Sequence, residues 1–409
     1  MRAVRHAAAL AALAVGLAGC GIFGGKDDEE LQPRELVAFE QTLDVRRAWN
    51  AKLGKGSEFL RLSLAPAGDG ERVFAASRDG VVSAFDPATG QRLWRTELKL
   101  PLSAGPGAGA GRVVVASSDG DLVCLRADDG SEVWRIDIAG ESLSRPVLRD
   151  DVVIVYTIDG TLHVRSRFDG RERWTLDQNL PPLTLRGAST PVVVGSTIVS
   201  GFDNGRLIAS GLADGTARWE VMLSPPTGRS DLERLSDVDG RMAVVGRDLY
   251  AAAYQGRLAA LAAESGQILW ARDISSYAGL AADEDNVYIV ADNGELAALS
   301  RRSGAERWRH DLLLRREPTS PVRFGEAIVV GDLEGYLHFY DARDGSPMAR
   351  VRVDKGMLSG APVVIDDLLL AQSESGRLAA YRIDRPEEDE ERVAQEAREG
   401  ARPGAAAGR

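Results

Sequence analysis

Side chains able to do nucleophilic, acid–base or metal chemistry are few in this chain and badly spaced for it. Its 409 residues include four histidines and two cysteines. His6 lies in an apolar N-terminal run and His310 stands alone. His163 and His338 hold equivalent places in two copies of a repeat, three residues past a glycine. Equivalent places in different units of one repeat lie far apart, so no two histidines have metal-ligand spacing. Nothing in the order of residues points to a nucleophile–base pair. The segment DVDG, Asp237 to Gly240, is a fragment of a calcium loop that lacks the further oxygen ligands and the distal glutamate, so turn chemistry describes it better. GPGAGAGR, 105–112, has neither the glycine spacing of a phosphate cradle nor a helix after it, and reads as a strand connection. A formal net charge of −11 argues against a phosphate backbone or an anionic lipid surface as partner, so nucleic acid is excluded as a class. The expectation is a chain with no catalytic, cofactor or metal site.

The residues that could do binding chemistry sit in two stretches, LDQNLPPLTLRGAST and SPPTGRSDLERLSDVDG. In the first, Leu183 and Leu185 alternate with Thr184 and are followed by Arg186, after two prolines. Apolar anchors beside an arginine are the chemistry of a protein-binding hot spot. The second supplies Asp237 and Asp239, which could pair with that arginine or with a partner's cation. The competing reading is that the leucines pack beneath their own loop and the acids form turns.

The elements that position these stretches are written as a repeat. DNGELAALSRRSGAERW from 292 aligns without a gap with RDGVVSAFDPATGQRLW from 78, SDGDLVCLRADDGSEVW from 118, and copies beginning at 158, 203, 254 and 333. An eighth copy, ESGRLAAYRID from 374, is cut short. In each complete copy a second glycine follows the first by ten residues, and Trp94, Trp134, Trp174, Trp219, Trp270 and Trp308 stand four residues later. The seventh copy has Ala349 in that slot. Asp-Gly and Asn-Gly pairs suit tight hairpins. Alternating apolar positions after the first glycine have the strand period. Each unit of about 40 residues therefore reads as a four-stranded antiparallel meander, which must stack on neighbours to bury both faces. A closed ring of such sheets is a β-propeller. The eighth copy lacks one strand, and LDVRRAWN supplies it, with Trp49 in the vacant slot. The fold expected is all-β: an eight-bladed β-propeller over residues 36–385 whose last blade is closed by an N-terminal strand. The tryptophans are expected to wedge between blades. From each tryptophan to the next first glycine is 24 to 27 residues at four junctions, but 31 after Trp174 and 37 after Trp219. The stretch from Trp49 is also 31. The two consecutive insertions are the segments that hold Leu183, Leu185, Arg186, Asp237 and Asp239.

Residues 1–19 read as a secretory signal: Arg2 and Arg5 precede AAALAALAVGLAG, too short to span a bilayer permanently. The run ends in LAGC, which looks like a lipobox with Cys20 as the lipidated residue. Gly21 follows it rather than aspartate, which under the bacterial sorting rule implies an outer-membrane, periplasm-facing location. Several acyl chains anchor stably where one would not. Residues 20–35 would be a flexible tether. Cys124 then has no disulfide partner and reads as a small buried hydrophobe. Residues 386–409 leave the repeat as an acidic, disordered tail.

LTLRG from 183, ERLSDVDG from 233 and TSPVRFGEAIVVGDLEGYLHFYDARDG from 319 to 345 resemble the BamB family, lipoproteins of the bacterial outer-membrane β-barrel assembly machinery. The likeness covers about residues 40–385 together with the lipobox. It implies a non-enzymatic scaffold that binds the POTRA domains of a BamA-like pore protein and assists delivery of outer-membrane proteins, unfolded clients included. It also implies that Leu183, Leu185, Arg186, Asp237 and Asp239 carry the contact. The repeat also resembles quinone-dependent dehydrogenases, but those are longer and use an adjacent cysteine pair, and Cys20 and Cys124 are not adjacent. A propeller that binds another periplasmic protein is the remaining alternative.

Overall fold

The computed structural model describes residues 32–57, 60–187 and 189–384. Cys20, most of the expected tether and the tail from 386 lie outside them. Among the described residues every regular element is a strand. Eight antiparallel sheets of four strands follow one another along the chain, and one of them gains a two-residue fifth strand, Ser63–Leu64, running parallel to Leu102–Gly109. The third sheet is representative: Val147–Arg149 innermost, then Val152–Tyr156, Thr161–Ser166 and Glu172–Asp177 outermost. The eighth is made of Val363–Ile365, Leu368–Gln372 and Arg377–Ile383, with Val45–Lys52 as its outer strand. That strand pairs antiparallel from Val45 opposite Ile383 to Lys52 opposite Arg377. The expected eight-bladed propeller, closed by an N-terminal strand, is the fold observed.

The core is a ring of layers between blades. Eight buried apolar clusters exist, one per junction. The layer between blades four and five joins Val199, Leu207 and Ala209 to Leu249, Ala251 and Leu261. The closing layer joins Trp49 and Leu370 of blade eight to Val73 and Phe85 of blade one.

Seven of the eight junctions carry the same clasp. In every outer strand one extra residue bulges just before the tryptophan slot, as between Glu132 and Trp134 or between Arg47 and Trp49. A bulge turns the next side chain out of the plain alternation, and here it aims the indole at the next blade. The indole N–H then donates to a carbonyl there: Trp49 to Pro87, Trp134 to Arg167, Trp308 to Ala342, with all seven bonds between 2.8 and 3.2 Å. The ring lies on the second glycine of that blade. At Gly345 a Cβ would come 2.6 Å from Trp308, and the backbone φ of +76° suits glycine. Ala349 in blade seven faces blade eight, whose outer strand comes from the other end of the chain, so no hairpin glycine is there to receive an indole. In its place Thr42 and Leu43 donate their backbone N–H groups to Met348, and Leu43 packs into that junction.

The N-terminal approach to the ring is also fixed. Arg34 N–H donates to the Leu314 carbonyl, Arg315 reaches the Gln32 carbonyl at 2.7 Å and the Arg350 guanidinium covers the Phe39 ring. Residues 32–35, expected in a flexible tether, are therefore held against the connection between blades six and seven. GPGAGAGR differs from expectation too: most of it is the inner strand Leu102–Gly109 rather than a connection. Inner strands crowd near the axis, and a Cβ on Gly107 would meet the Pro146 carbonyl oxygen at 1.9 Å.

Candidate functional site: an insertion pair beside a central cavity

Four strands per blade return the chain to the same side each time, so every connection from an outer strand to the next inner strand leaves on one face. The two long insertions, 178–191 and 223–242, are neighbouring connections of this kind. They form one unit. The Leu185 N–H donates a short hydrogen bond to the Asp237 carboxylate. Gly187 lies so close to Asp239 that a Cβ would be 2.7 Å from its Oδ2. The second insertion is itself tied down, because Tyr254 N–H donates to the Asp237 carbonyl at 2.9 Å and Val238 N–H to that of Phe202 at 3.3 Å.

The loop so held presents Leu183 at 42% exposure, with Leu185 half-buried behind it. Arg186 points outward and makes a two-pronged ion pair with Glu141, at 3.0 and 3.2 Å. The expected pairing of Arg186 with Asp237 or Asp239 is not formed. Neither aspartate is a surface group: Asp237 is fully buried and Asp239 lodges its carboxyl against Gly187. The turn chemistry expected of DVDG is not what forms, since residues 237–239 belong to no turn and the carboxylates of both acids are buried.

The two acids belong to a buried cluster with Asp203, from the first-glycine turn of blade four. Tyr156 O–H donates to Asp203 at 3.4 Å. Burial pushes Asp203 up to about 7 and Asp237 up to about 6. Asp239 is raised as well, by burial and by Asp203 and Asp237 beside it. Asp203 and Asp239 meet carboxyl to carboxyl, a contact that is a hydrogen bond only while one of them keeps a proton.

Sequence reasoning missed Leu232 and Ile158, whose side chains are 63% and 37% exposed. Leu232 rides on a single turn closed by a capping box: Glu233 N–H donates to Ser230 Oγ at 3.2 Å, and Ser230 N–H donates to the Glu233 carboxylate at 3.3 Å. The S-x-x-E spacing of Ser230 and Glu233 was the available signal. Ile158 is tied to the same region because its N–H donates to the carbonyl of Glu141, the partner of Arg186. Leu183, Leu232 and Ile158 thus give the two insertions and the neighbouring turn of blade three exposed apolar residues.

Beside them the ring encloses a cavity of ≈ 620 Å³ on its axis, lined by connections from seven of the eight junctions, Arg186, Gly187 and Asp239 among them. Among the described residues no group of histidine, cysteine and acidic side chains is arranged to hold a metal ion. Cys124 is buried and its thiol is pushed up to about 12 by burial.

A family model described as outer membrane protein assembly factor BamB matches residues 78–310 and 292–389. The chain is 44% identical over 376 residues to the outer membrane protein assembly factor BamB of Pseudomonas aeruginosa, covering 92% of this chain and 98% of that one. It is 48% identical to the protein of the same name from Alkalilimnicola ehrlichii, over 93% of this chain and 97% of that one. Among solved structures, BamB from Moraxella catarrhalis superposes with a TM-score of 0.77 at 27% identity, over 83% of this chain and all of that one. A europium-containing methanol dehydrogenase superposes with a TM-score of 0.68 at 12% identity, which is a likeness of fold alone.

Proposed function

The chain belongs to the BamB family of outer membrane protein assembly factors, and from that premise we infer that it is a non-enzymatic scaffold docking on the POTRA domains of a BamA-like pore protein. The observation that carries this reading is the loop Leu183–Gly187, pinned from behind by Asp237 and Asp239 and offering a leucine and an arginine to solvent. A loop already held in one conformation loses little entropy on binding. Leu183, Leu185 and Arg186 make the contact. Asp237 and Asp239 are positioning residues that hold it, and Leu232 and Ile158 extend the apolar surface. Lipid on Cys20 keeps the protein on the periplasmic face of the outer membrane, and unfolded outer-membrane proteins are the clients it helps deliver. The relatives' names support assembly work over catalysis, and among the described residues no arrangement favours a dehydrogenase.

The test is co-purification with the POTRA domains of the BamA-like protein from the same bacterium. Arg186→Glu should weaken binding at least about 30-fold, the range of a hot-spot residue. Its ion pair with Glu141 is half exposed and contributes at most about 1 kcal/mol to the fold, so the melting temperature should barely move. Unchanged co-purification would remove the site assignment.

A further inference from the structure

The axial cavity is cationic in a protein whose net charge is −11. Four arginines line it. Two are neutralised: Arg61 by Glu317 and Arg186 by Glu141. The other two, Arg145 from the connection between blades two and three and Arg241 from the end of the second insertion, make no side-chain hydrogen bond or ion pair with any described residue. Arg145 is held below the usual guanidinium range, down to about 10, chiefly by burial and then by the nearby charge of Arg241, and burial lowers Arg241 as well. Arg145 is half-buried and Arg241 is exposed toward the cavity, although protein atoms crowd both. The acids that share the lining do not offset them, because Glu317 is committed to Arg61 and burial favours the protonated form of Asp239.

Two neighbouring guanidiniums without a protein counter-charge repel one another, a cost to the fold that solvent in the cavity only partly screens. Elsewhere this protein satisfies its buried arginine: Arg316, 2% exposed, is paired with both Asp332 and Glu334. The pair in the cavity has the form of a site awaiting negative charge, since guanidinium forks match the two oxygens of a carboxylate or phosphate. The volume lies within the range of small-molecule sites. Leu143, Met242 and Val322 add apolar wall beside the arginines.

We propose that the central cavity binds a small organic anion, its carboxylate or phosphate oxygens held between Arg145 and Arg241. The anion removes the repulsion between the two side chains and ties blade three to blade five past the intervening blade four. Because the arginines come from connections on the face that bears Leu183 and Arg186, an occupied cavity also fixes the floor on which that loop rests.

The experiment follows melting and calorimetric binding for the full-length protein with citrate and, separately, with inorganic phosphate, against sodium chloride at matched ionic strength. The expected result is saturable stabilisation by at least one of the two, with affinity reduced at least about tenfold in Arg145→Met/Arg241→Met, as charge-assisted hydrogen bonds are lost. Citrate alone would assign a carboxylate ligand and phosphate alone a phosphorylated one. Without ligand, the double variant should melt no lower than the parent. No response beyond chloride, an equal response in the variant, or a ligand-free variant that melts lower while the ligand shift persists would overturn the proposal. POTRA co-purification in parallel keeps the two readings separate: the anion site can fail while docking survives, and docking can fail while the anion shift remains.

Discussion

At the scale of single residues, the site depends on acids whose sequence context suggests turn formers or partners of a cation. Asp237 and Asp239 sit in DVDG, a string that elsewhere marks a solvated turn, and nothing local distinguishes a carboxylate facing water from one facing a neighbouring insertion. What places them inside is a contact 52 residues away in sequence, the Leu185 N–H on Asp237. Arg186 was legible because an exposed arginine after alternating leucines needs no long-range knowledge, whereas its partner Glu141 comes from another blade and was not. The buried acids make a pH prediction. Asp203 is raised on folding from 3.8 to about 7, so the folded state holds its proton more tightly than the unfolded chain. Stability from this group is complete below 3.8 and is lost as pH rises through about 7. Asp203→Asn, which cannot ionise, should therefore melt above the parent near about pH 8, with the gap narrowing toward about pH 5. A parallel pH profile for the two proteins, measured by thermal melting, would show that the carboxyl is not held neutral.

At the scale of elements, the tryptophan–glycine clasp was readable in advance because both members recur at fixed offsets. The partner of each indole was not, since the contact crosses to the next unit. The missing tryptophan at Ala349 makes sense only with the closure known: the blade it faces has no hairpin glycine, and the backbone of Thr42 and Leu43 fills that role. Trp308→Ala should cost about 3–5 kcal/mol as a truncation of a buried aromatic. Gly345→Ala should damage the same junction from the other side, through both the contact with Trp308 and the positive φ. Denaturant melts of the two variants and of their double should reveal strong non-additivity, as expected for residues in contact. Additive losses, or a negligible shift for Trp308→Ala, would contradict the clasp.

At the scale of the whole molecule, the count of eight followed from the repeat, but the cavity did not, because its lining is drawn from connections that share no motif. Closure makes the first strand as necessary as the last. Removing residues through Lys52 would leave Arg377–Ile383 as an unpaired edge, open to pairing with another chain. Such a truncation should emerge from size-exclusion chromatography as aggregate or oligomer, while removal of residues 1–31 should leave a monomer with the parent melting temperature; a monomeric, fully stable 53–409 chain would refute closure by the strand. The docking of residues 32–35 on the connection between blades six and seven has a geometric outcome. Cys20 and Gln32 are twelve residues apart, and a stretched chain of that length reaches no more than about 40 Å. If acyl chains hold Cys20 in the bilayer, Gln32 stays within that distance of it, at a point on the same face as the insertion pair but away from it. That bound keeps the leucine–arginine sector within a limited depth of periplasm beneath the lipid, the zone where a membrane-embedded pore would keep its soluble domains.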